Sequence, residues 1–197
     1  MEIVIATKNE GKVREIRHFL CDSKDIFLRS LNDYKDVPEI IESGLTFREN
    51  SIIKAKLISE YFNVLALADD SGLEVDILNN RPGVYSSRYS GENATDKSNR
   101  KKIIRELSSE KDIKKRTARF VCSMVLWDSK KGLVFEAREV CEGFIGFDEK
   151  GAGGFGYDSL FIPEGYEKTM AQLTEDEKNK ISHRGKALIK FAAFISK

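Results

Sequence analysis

The sequence predicts an α/β protein in which a mixed sheet is flanked by helices. Three observations carry that expectation. Residues 2–6 and 64–68 are short apolar runs of the kind that form buried strands. Apolar residues at steps of three and four lie beside each run. Residues 118–126 and 133–137 alternate apolar with polar or shorter side chains, the signature of a hairpin. Interleaved strands and helices with one hairpin section belong to mixed α/β architectures.

Taken in order, the run 2–6 enters the polar stretch Thr7-Lys8-Asn9-Glu10-Gly11-Lys12. Val13, Ile16, Phe19 and Leu20 then recur at helical spacing, which makes a strand–loop–helix unit. Phe47, Ser51, Ala55, Ile58 and Phe62 form a stripe, so a second helix is expected over about 46–62. The run 64–68 stops abruptly at Asp69-Asp70-Ser71-Gly72, as a buried strand with functional residues at its C-terminal edge would. A third helix is expected over about 96–107, capped by Thr95. Residues 151–156 are glycine-rich and read as a loop, and Thr174 with Glu177 forms a capping box. The final helix presents Ala187, Leu188, Phe191, Ala192 and Ile195 on one face. No repeat or linker interrupts the chain, so residues 1–197 are expected to form a single domain.

Composition excludes several classes. There are 33 basic and 32 acidic residues, so bulk charge points neither to nucleic acid nor to an anionic membrane. No apolar run approaches the roughly 20 residues that span a bilayer. The opening run has no signal-peptide pattern, and a cytoplasmic protein is expected. Cys21, Cys122 and Cys141 are far apart and form no CxxC pair, which argues against a disulfide framework or a zinc site.

Several segments carry chemistry. A helix start offers unpaired N–H groups to phosphate, and Lys8 and Lys12 add charge there, while Thr7 and Asn9 add donors. The stretch is not a Walker A loop, because Ala6 and Val13 stand where that motif needs Gly and Ser or Thr. An ordinary capped helix with solvated lysines would look the same. Asp69 and Asp70 are costly to bury without counter-charge, and carboxylates with phosphates suit Mg²⁺. Neighbours on a strand face opposite ways, so both reach one site only if the chain is already turning at Ser71-Gly72. Glu39, Glu42 or Glu49 offers a further carboxylate, and Lys54 a cation. In 151–158 a literal GxGxxG opens no helix, so a dinucleotide fingerprint is rejected. Its glycines instead allow close approach to a ligand; Phe155 and Tyr157 are candidates to stack on a base, and Asp158 to accept from a ring N–H. Lys178, His183 and Arg184 form a donor-rich patch.

Together and in this order, these segments resemble the inosine triphosphate pyrophosphatase family, the RdgB-type enzymes. The matching stretches are 7–12, Glu42-Ser43-Gly44 with Thr46-Phe47-Arg48-Glu49-Asn50, 68–73, 82–91, 153–158, and Leu173-Thr174 running on to Lys178 and 182–185. Each is weak alone; six in order cover nearly the whole chain. The resemblance implies an elongated mixed sheet with two lobes around a nucleotide cleft, a homodimer, and a Mg²⁺ requirement. By position, Thr7, Lys8, Asn9, Glu10, Gly11 and Lys12, with Lys54, would hold the phosphates. Asp70 would be the catalytic carboxylate, as metal ligand or base, with Asp69 beside it. Glu42 is the preferred second metal carboxylate and Glu39 the alternative. Ser71 would contact substrate, and Phe155, Gly156, Tyr157, Asp158, Lys178, His183 and Arg184 would form the base pocket. Ser159 stands where the family commonly has proline, a change expected to loosen the loop, and Lys8 where a small residue is frequent.

The implied reaction is Mg²⁺-dependent hydrolysis of deaminated purine nucleoside triphosphates (ITP, dITP, XTP) to monophosphate and pyrophosphate, keeping them out of DNA and RNA. The expected partners are those small molecules, with no nucleic acid and no membrane. Two other readings are a Maf-like pyrophosphatase of different base specificity and a non-catalytic nucleotide sensor. The first should lack the 155–158 and 182–184 segments, and the second has no need of Asp69-Asp70 and Lys12.

Overall fold

The structure, a computed structural model, describes residues 1–21 and 26–196. Strand β1 (Glu2–Ile5) buries Ile3, Val4 and Ile5 on both faces, which is why a continuous apolar run opens the chain. It pairs in parallel with β2 (Phe27–Ser30) and with β3 (Leu65–Val75). Parallel neighbours need crossover connections. Helix α1 (Glu10–Phe19) lies between β1 and β2 in sequence, and α2 (Phe47–Phe62) between β2 and β3. Asn9 caps α1 by accepting the Lys12 N–H at 3.0 Å. Thr46 and Glu49 cap α2 reciprocally, and Asn63, in the left-handed region at φ 54°, ends it.

The chain continues through β4 (Arg81–Pro82), α3 (Asp96–Glu106), β5 (Thr117–Asp128), β6 (Gly132–Ile145), β7 (Phe161–Pro163), α4 (Glu175–Ile181) and α5 (His183–Ile195). The described strands hydrogen-bond in the order β2-β1-β3-β5-β6-β7, with β4 on β3. Pairs β3–β4 and β6–β7 are antiparallel, so the sheet is mixed and the α/β class is as expected. No helix among the described residues is long and apolar enough to cross a membrane.

Strands β2 and β3 depart from the sequence reading in ways that bear on the site; the short β4 and β7 were not read either, and β6 runs on beyond 137 to Ile145. Strand β2 went unread because only Ser30 is fully buried in it, so it carries little apolar pattern. Strand β3 does not stop at Asp69 but runs on to Val75, with Leu73 and Val75 buried. The expected turn at Ser71-Gly72 is therefore absent. Backbone pairing overrides the local turn propensity of Asp-Ser-Gly.

The chain divides into two compact units. The first comprises Met1–Asp70, Cys122–Glu139 and Arg184–Lys197; the second comprises Ser71–Val121 and Val140–His183. The first has two apolar clusters that alternate along its strands. Ile3, Ile5, Leu67, Cys122 and Met124 pack with Val13 and Ile16 of α1 and Leu188 and Phe191 of α5. Val4, Ala66, Ala68 and Val125 pack with Ala55 and Ile58 of α2. This is the two-residue period of a strand covered on both faces.

The second unit has one core, with Leu73, Val75, Ile103, Leu107, Phe120 and Phe161 among its members. Beside it lies the fully buried Arg116. Its guanidinium donates to the carbonyls of Ile145 at 2.8 Å, Gly146 at 2.8 Å, Leu107 at 2.9 Å and Glu110 at 3.3 Å. The side chain thereby ties the end of β6 to the segment after α3. Arg116→Met keeps the stem but strands these acceptors, at about 1–3 kcal/mol for each left buried and unpaired. A loss of about 3 kcal/mol or more is expected in urea unfolding, or about 6 °C or more in Tm. An unchanged midpoint would show that water serves these carbonyls equally well.

Candidate active site

The continuation of β3 decides how its two aspartates are used. Asp69 and Asp70 are 2% and 7% exposed, and the pleat sends them to opposite faces. Asp70 shares its face with Ala66 and Ala68, against α2. The Lys54 ammonium of α2 lies 2.9 Å from Asp70 Oδ1 and 2.8 Å from Glu42 Oε1. Asn50, one helical turn earlier, donates through Nδ2 to Asp70 Oδ2 at 3.1 Å. Ser51 Oγ accepts the Asp70 N–H at 2.6 Å and donates to the Ser123 carbonyl at 2.7 Å. Burial works against the Lys54 charge, but Asp70 and Glu42 outweigh it and hold the pKa above the usual lysine value.

The loop bearing Glu42 is pinned to the same helix. Asn50 Oδ1 accepts the Gly44 N–H at 2.8 Å. A Cβ at Gly44 would come within 2.7 Å of that same oxygen, so only glycine permits the approach. Asn50 thus touches both the Glu42 loop and Asp70. The sequence reading missed it; the available signal was a second polar residue, beside Ser51, on the face that packs inward. Glu49, by contrast, is spent on the cap of α2, where its carboxylate accepts from the Leu45 and Thr46 N–H groups. Glu39 is exposed.

Asp69 faces the α1 and α5 side. Its Oδ2 accepts from Arg184 Nη2 at 3.0 Å and Nε at 3.2 Å, and Lys12 Nζ stands 3.3 Å from its Oδ1. Lys12 also donates to the Asp69 carbonyl at 3.2 Å. Arg184 is shared with Glu15, a partner the sequence reading did not single out. Burial alone would raise the Asp69 pKa, but Arg184 and Lys12 hold it far below the usual carboxylate range. Burial lowers the Lys12 pKa, with Asp69 opposing. Burial, with the Asp69 charge, pushes the Cys122 thiol up. A carboxylate so stabilised is a weak proton acceptor, because basicity falls with pKa.

The 7–12 stretch forms the start of α1. The half-buried Thr7 accepts the Asn9 N–H through Oγ1 at 3.1 Å, and Lys8, Asn9 and Glu10 are exposed. Asn32 donates to the Lys8 carbonyl at 3.3 Å and to Glu10. Gly11 and Lys12 follow in the first turn, part-buried.

In the second unit, Ser71 is half-buried on β3. Asp158 Oδ2 accepts the Phe155 N–H at 2.9 Å and lies 2.6 Å from Lys178 Nζ. Lys178 sits 5.3 Å from the centre of the half-buried Phe155 ring. Tyr157 is packed in the core and donates its hydroxyl to the Ser86 carbonyl at 2.8 Å. His183 stacks on Phe120 at 4.9 Å between ring centres. Ser159 donates to Glu149 Oε2 at 3.3 Å, so its hydroxyl ties the loop down where loosening was expected.

Among the described residues no cluster of three or more His, Cys, Asp or Glu side chains gathers around a point. Glu42 and Asp70 do meet about one cation, the Lys54 ammonium. Two carboxylates are hard oxygen donors of the type that Mg²⁺ takes, so the pair fits that ion in kind.

The Ham1 family model matches residues 3–194. The chain belongs to the Ham1 family. It is 46% identical over 192 residues to a protein of Bacillus anthracis named dITP/XTP pyrophosphatase, covering 96% of this chain and 93% of that one. A protein of the same name from Halalkalibacterium halodurans is 48% identical over 190 residues, with 95% of each chain covered. Among solved structures, the HAM1 protein of Coxiella burnetii superposes with a TM-score of 0.88 at 39% identity, covering 100% of this chain and 98% of that one. The Ham1 protein of Staphylococcus aureus gives 0.86 at 36% identity, with the same coverage.

Opposite faces give the two aspartates separable phenotypes. Asp69→Asn leaves Arg184 and Lys12 buried with less counter-charge, and a loss of about 3–5 kcal/mol is expected in denaturant unfolding. Asp70→Asn should cost less, since Glu42 still pairs Lys54. The sign of the pH effect follows from the depressed pKa of Asp69. Its stabilisation is complete above the unfolded value near about pH 4 and is lost as pH falls towards the folded value. Wild type should therefore lose stability steeply below about pH 4, while Asp69→Asn shows a flatter acid limb in Tm against pH. Equal acid limbs would mean that Asp69 carries no such linkage.

Proposed function

We propose that this chain is a Mg²⁺-dependent nucleoside triphosphate pyrophosphatase acting on deaminated purine nucleotides: ITP, dITP and XTP. It is a hydrolase of acid anhydrides, and the relatives named dITP/XTP pyrophosphatase support the substrate class. The observation that carries the chemistry is the meeting of Asp70 and Glu42 on the Lys54 ammonium. It assembles carboxylates and a cation where a polyphosphate could be engaged.

In the reaction, the oxygen of a water molecule bonds to the α phosphorus. The bond from that phosphorus to the bridging oxygen breaks, and pyrophosphate leaves with the bridging oxygen. The water proton passes to a carboxylate. Asp70 suits that role better than Asp69, whose two cationic partners suppress its basicity. Glu42 and Asp70 would hold Mg²⁺, which when bound neutralises phosphate charge and orients the reacting oxygens. Lys54, released from one carboxylate, and Lys12 stabilise the departing pyrophosphate. Thr7, Asn9 and the N–H groups at the start of α1 bind phosphate oxygens.

Choice against adenine rests on position 6 of the purine; guanine shares the 6-oxo group, so its exclusion rests on position 2. Lys178 and His183 are donors, and a 6-oxo oxygen accepts where a 6-amino group does not; Arg184 is held by Asp69 and Glu15 instead. Each buried donor left unpaired costs about 1–3 kcal/mol, about tenfold or more per contact. Asp158 complements this by accepting from the ring N–H next to the oxo group. The enzyme acts as a homodimer in the cytoplasm on the free nucleotide pool, removing such nucleotides before they enter DNA or RNA.

Pyrophosphate release from ITP, XTP, dITP, ATP and GTP, with and without Mg²⁺, tests this reading. Cleavage of ITP and XTP at least about 100-fold above ATP is expected if two or more donor contacts discriminate, with Mg²⁺ required. Asp70→Asn should lose at least about 100-fold in kcat. Binding of ITP without any cleavage would favour a nucleotide sensor. Equal cleavage of all five would leave the hydrolysis standing and remove the account of base choice.

A further inference from the structure

The loop 155–158 owes its shape to residues of α3, none of them among the candidate site residues. Gly156 sits in the left-handed region at φ 61° between Phe155 and Tyr157. Both of its backbone polar groups are taken by one helix. Its N–H donates to Asp96 Oδ2 at 2.8 Å, and its carbonyl accepts from Arg100 Nη1 at 2.7 Å. Asp96 and Arg100 are four residues apart in α3, hence neighbours on one helical face.

The grip extends past Gly156. Arg100 Nε donates to Glu149 Oε2 at 2.7 Å, the same oxygen that receives the Ser159 hydroxyl at 3.3 Å. One guanidinium thus ties both ends of the loop. Helix α3 is itself anchored by the buried Asn99, whose Nδ2 donates to the carbonyls of Ser86 at 3.3 Å and Ser87 at 3.0 Å. Its Oδ1 accepts the Ser90 N–H at 2.8 Å. Tyr157 donates to that same Ser86 carbonyl at 2.8 Å, so loop and helix share a fixed point.

We propose that Asp96 and Arg100 are positioning residues for base discrimination: by gripping the Gly156 backbone from α3 they fix the Phe155 ring and the Asp158 carboxylate on either side of it. This rests on the reading of 155–158 as part of the base pocket. Glycine at 156 supplies the backbone conformation but no rigidity. The helix supplies the rigidity, and a carboxylate that reads a ring N–H discriminates only while its position is held.

Amide hydrogen exchange and steady-state kinetics on ITP and ATP, for wild type, Arg100→Met, Arg100→Lys and Asp96→Ala, test the proposal. Arg100→Met should speed exchange at the Gly156 amide. It should raise the KM for ITP about tenfold, the effect of losing about one charge-assisted hydrogen bond. The ITP-over-ATP preference should narrow in proportion, with kcat for ITP within about twofold, since the hydrolytic carboxylates are untouched. Arg100→Lys, which keeps the charge but not the fork, should recover part of the KM effect. Asp96→Ala should act in the same direction as Arg100→Met. If wild type prefers ITP and both variants keep that preference, the clamp has no part in selection and the proposal falls alone. Equal losses of kcat for ITP and ATP would also overturn it, as general damage. If wild type itself shows no preference between ITP and ATP, the base-pocket reading fails and takes this one with it.

Discussion

Two carboxylates at consecutive positions of a buried strand must each find a cation, and the pleat forbids them to share one. Much of the first unit follows from that constraint. Asp70 turns towards α2 and takes Lys54; Asp69 turns towards α1 and α5 and takes Lys12 and Arg184. A charge in such surroundings is tolerated only when paired and hydrogen-bonded. The cations therefore come from different helices, and those helices are held to the strand by charge as well as by apolar packing. The same division separates two kinds of carboxylate. Asp69 is locked between cations with its pKa far below the usual range. Asp70 is bound to a single ammonium that a second carboxylate, Glu42, also claims. Only the latter arrangement leaves its cation paired if one carboxylate is drawn away.

Backbone groups and side-chain amides do the fine positioning. Ser51 fixes the Asp70 peptide, Asn50 fixes its carboxylate, and the same Asn50 draws in the loop before α2 through Gly44. In the second unit Asn99 and Arg116 play the corresponding part, Asn99 meeting two carbonyls and an N–H and Arg116 four carbonyls. Such loops cannot be buried unless their polar groups are met, and a few multidentate side chains meet many at once. The glycine-rich loop is held in this way as well, so its flexibility as a sequence is not its behaviour in the fold.

The difference between what was readable and what was not has a consistent cause. The strands of 2–5 and 117–128, the Thr95 and Thr174 caps, and the apolar face of α5 were legible because each depends on residues close together in the chain. Strand β2 was not, because an edge strand with one fully buried side chain leaves no alternation to read. The candidate site was legible only as a list of candidates: Lys12, Lys54, Asp69, Asp70, Glu42, Asp158, Lys178, His183 and Arg184 stood out by type, by order and by the family resemblance. Their pairing was not.

By itself, then, the sequence determined the class of fold, the extents of α2 and α3 and the start of α4, and the residue types from which phosphate, metal and base chemistry could be built, because these follow from local periodicity, capping and side-chain chemistry. Tertiary structure alone decided that β3 continues through Asp69-Asp70, that Arg184 answers to Asp69 and Glu15, that Tyr157 belongs to the core, and that α3 grips Gly156. Each of these is settled by partners distant in the chain, as Arg184 is from Asp69 by 115 positions and from Glu15 by 169. Strand register and burial, not neighbouring residues, choose which buried charge meets which.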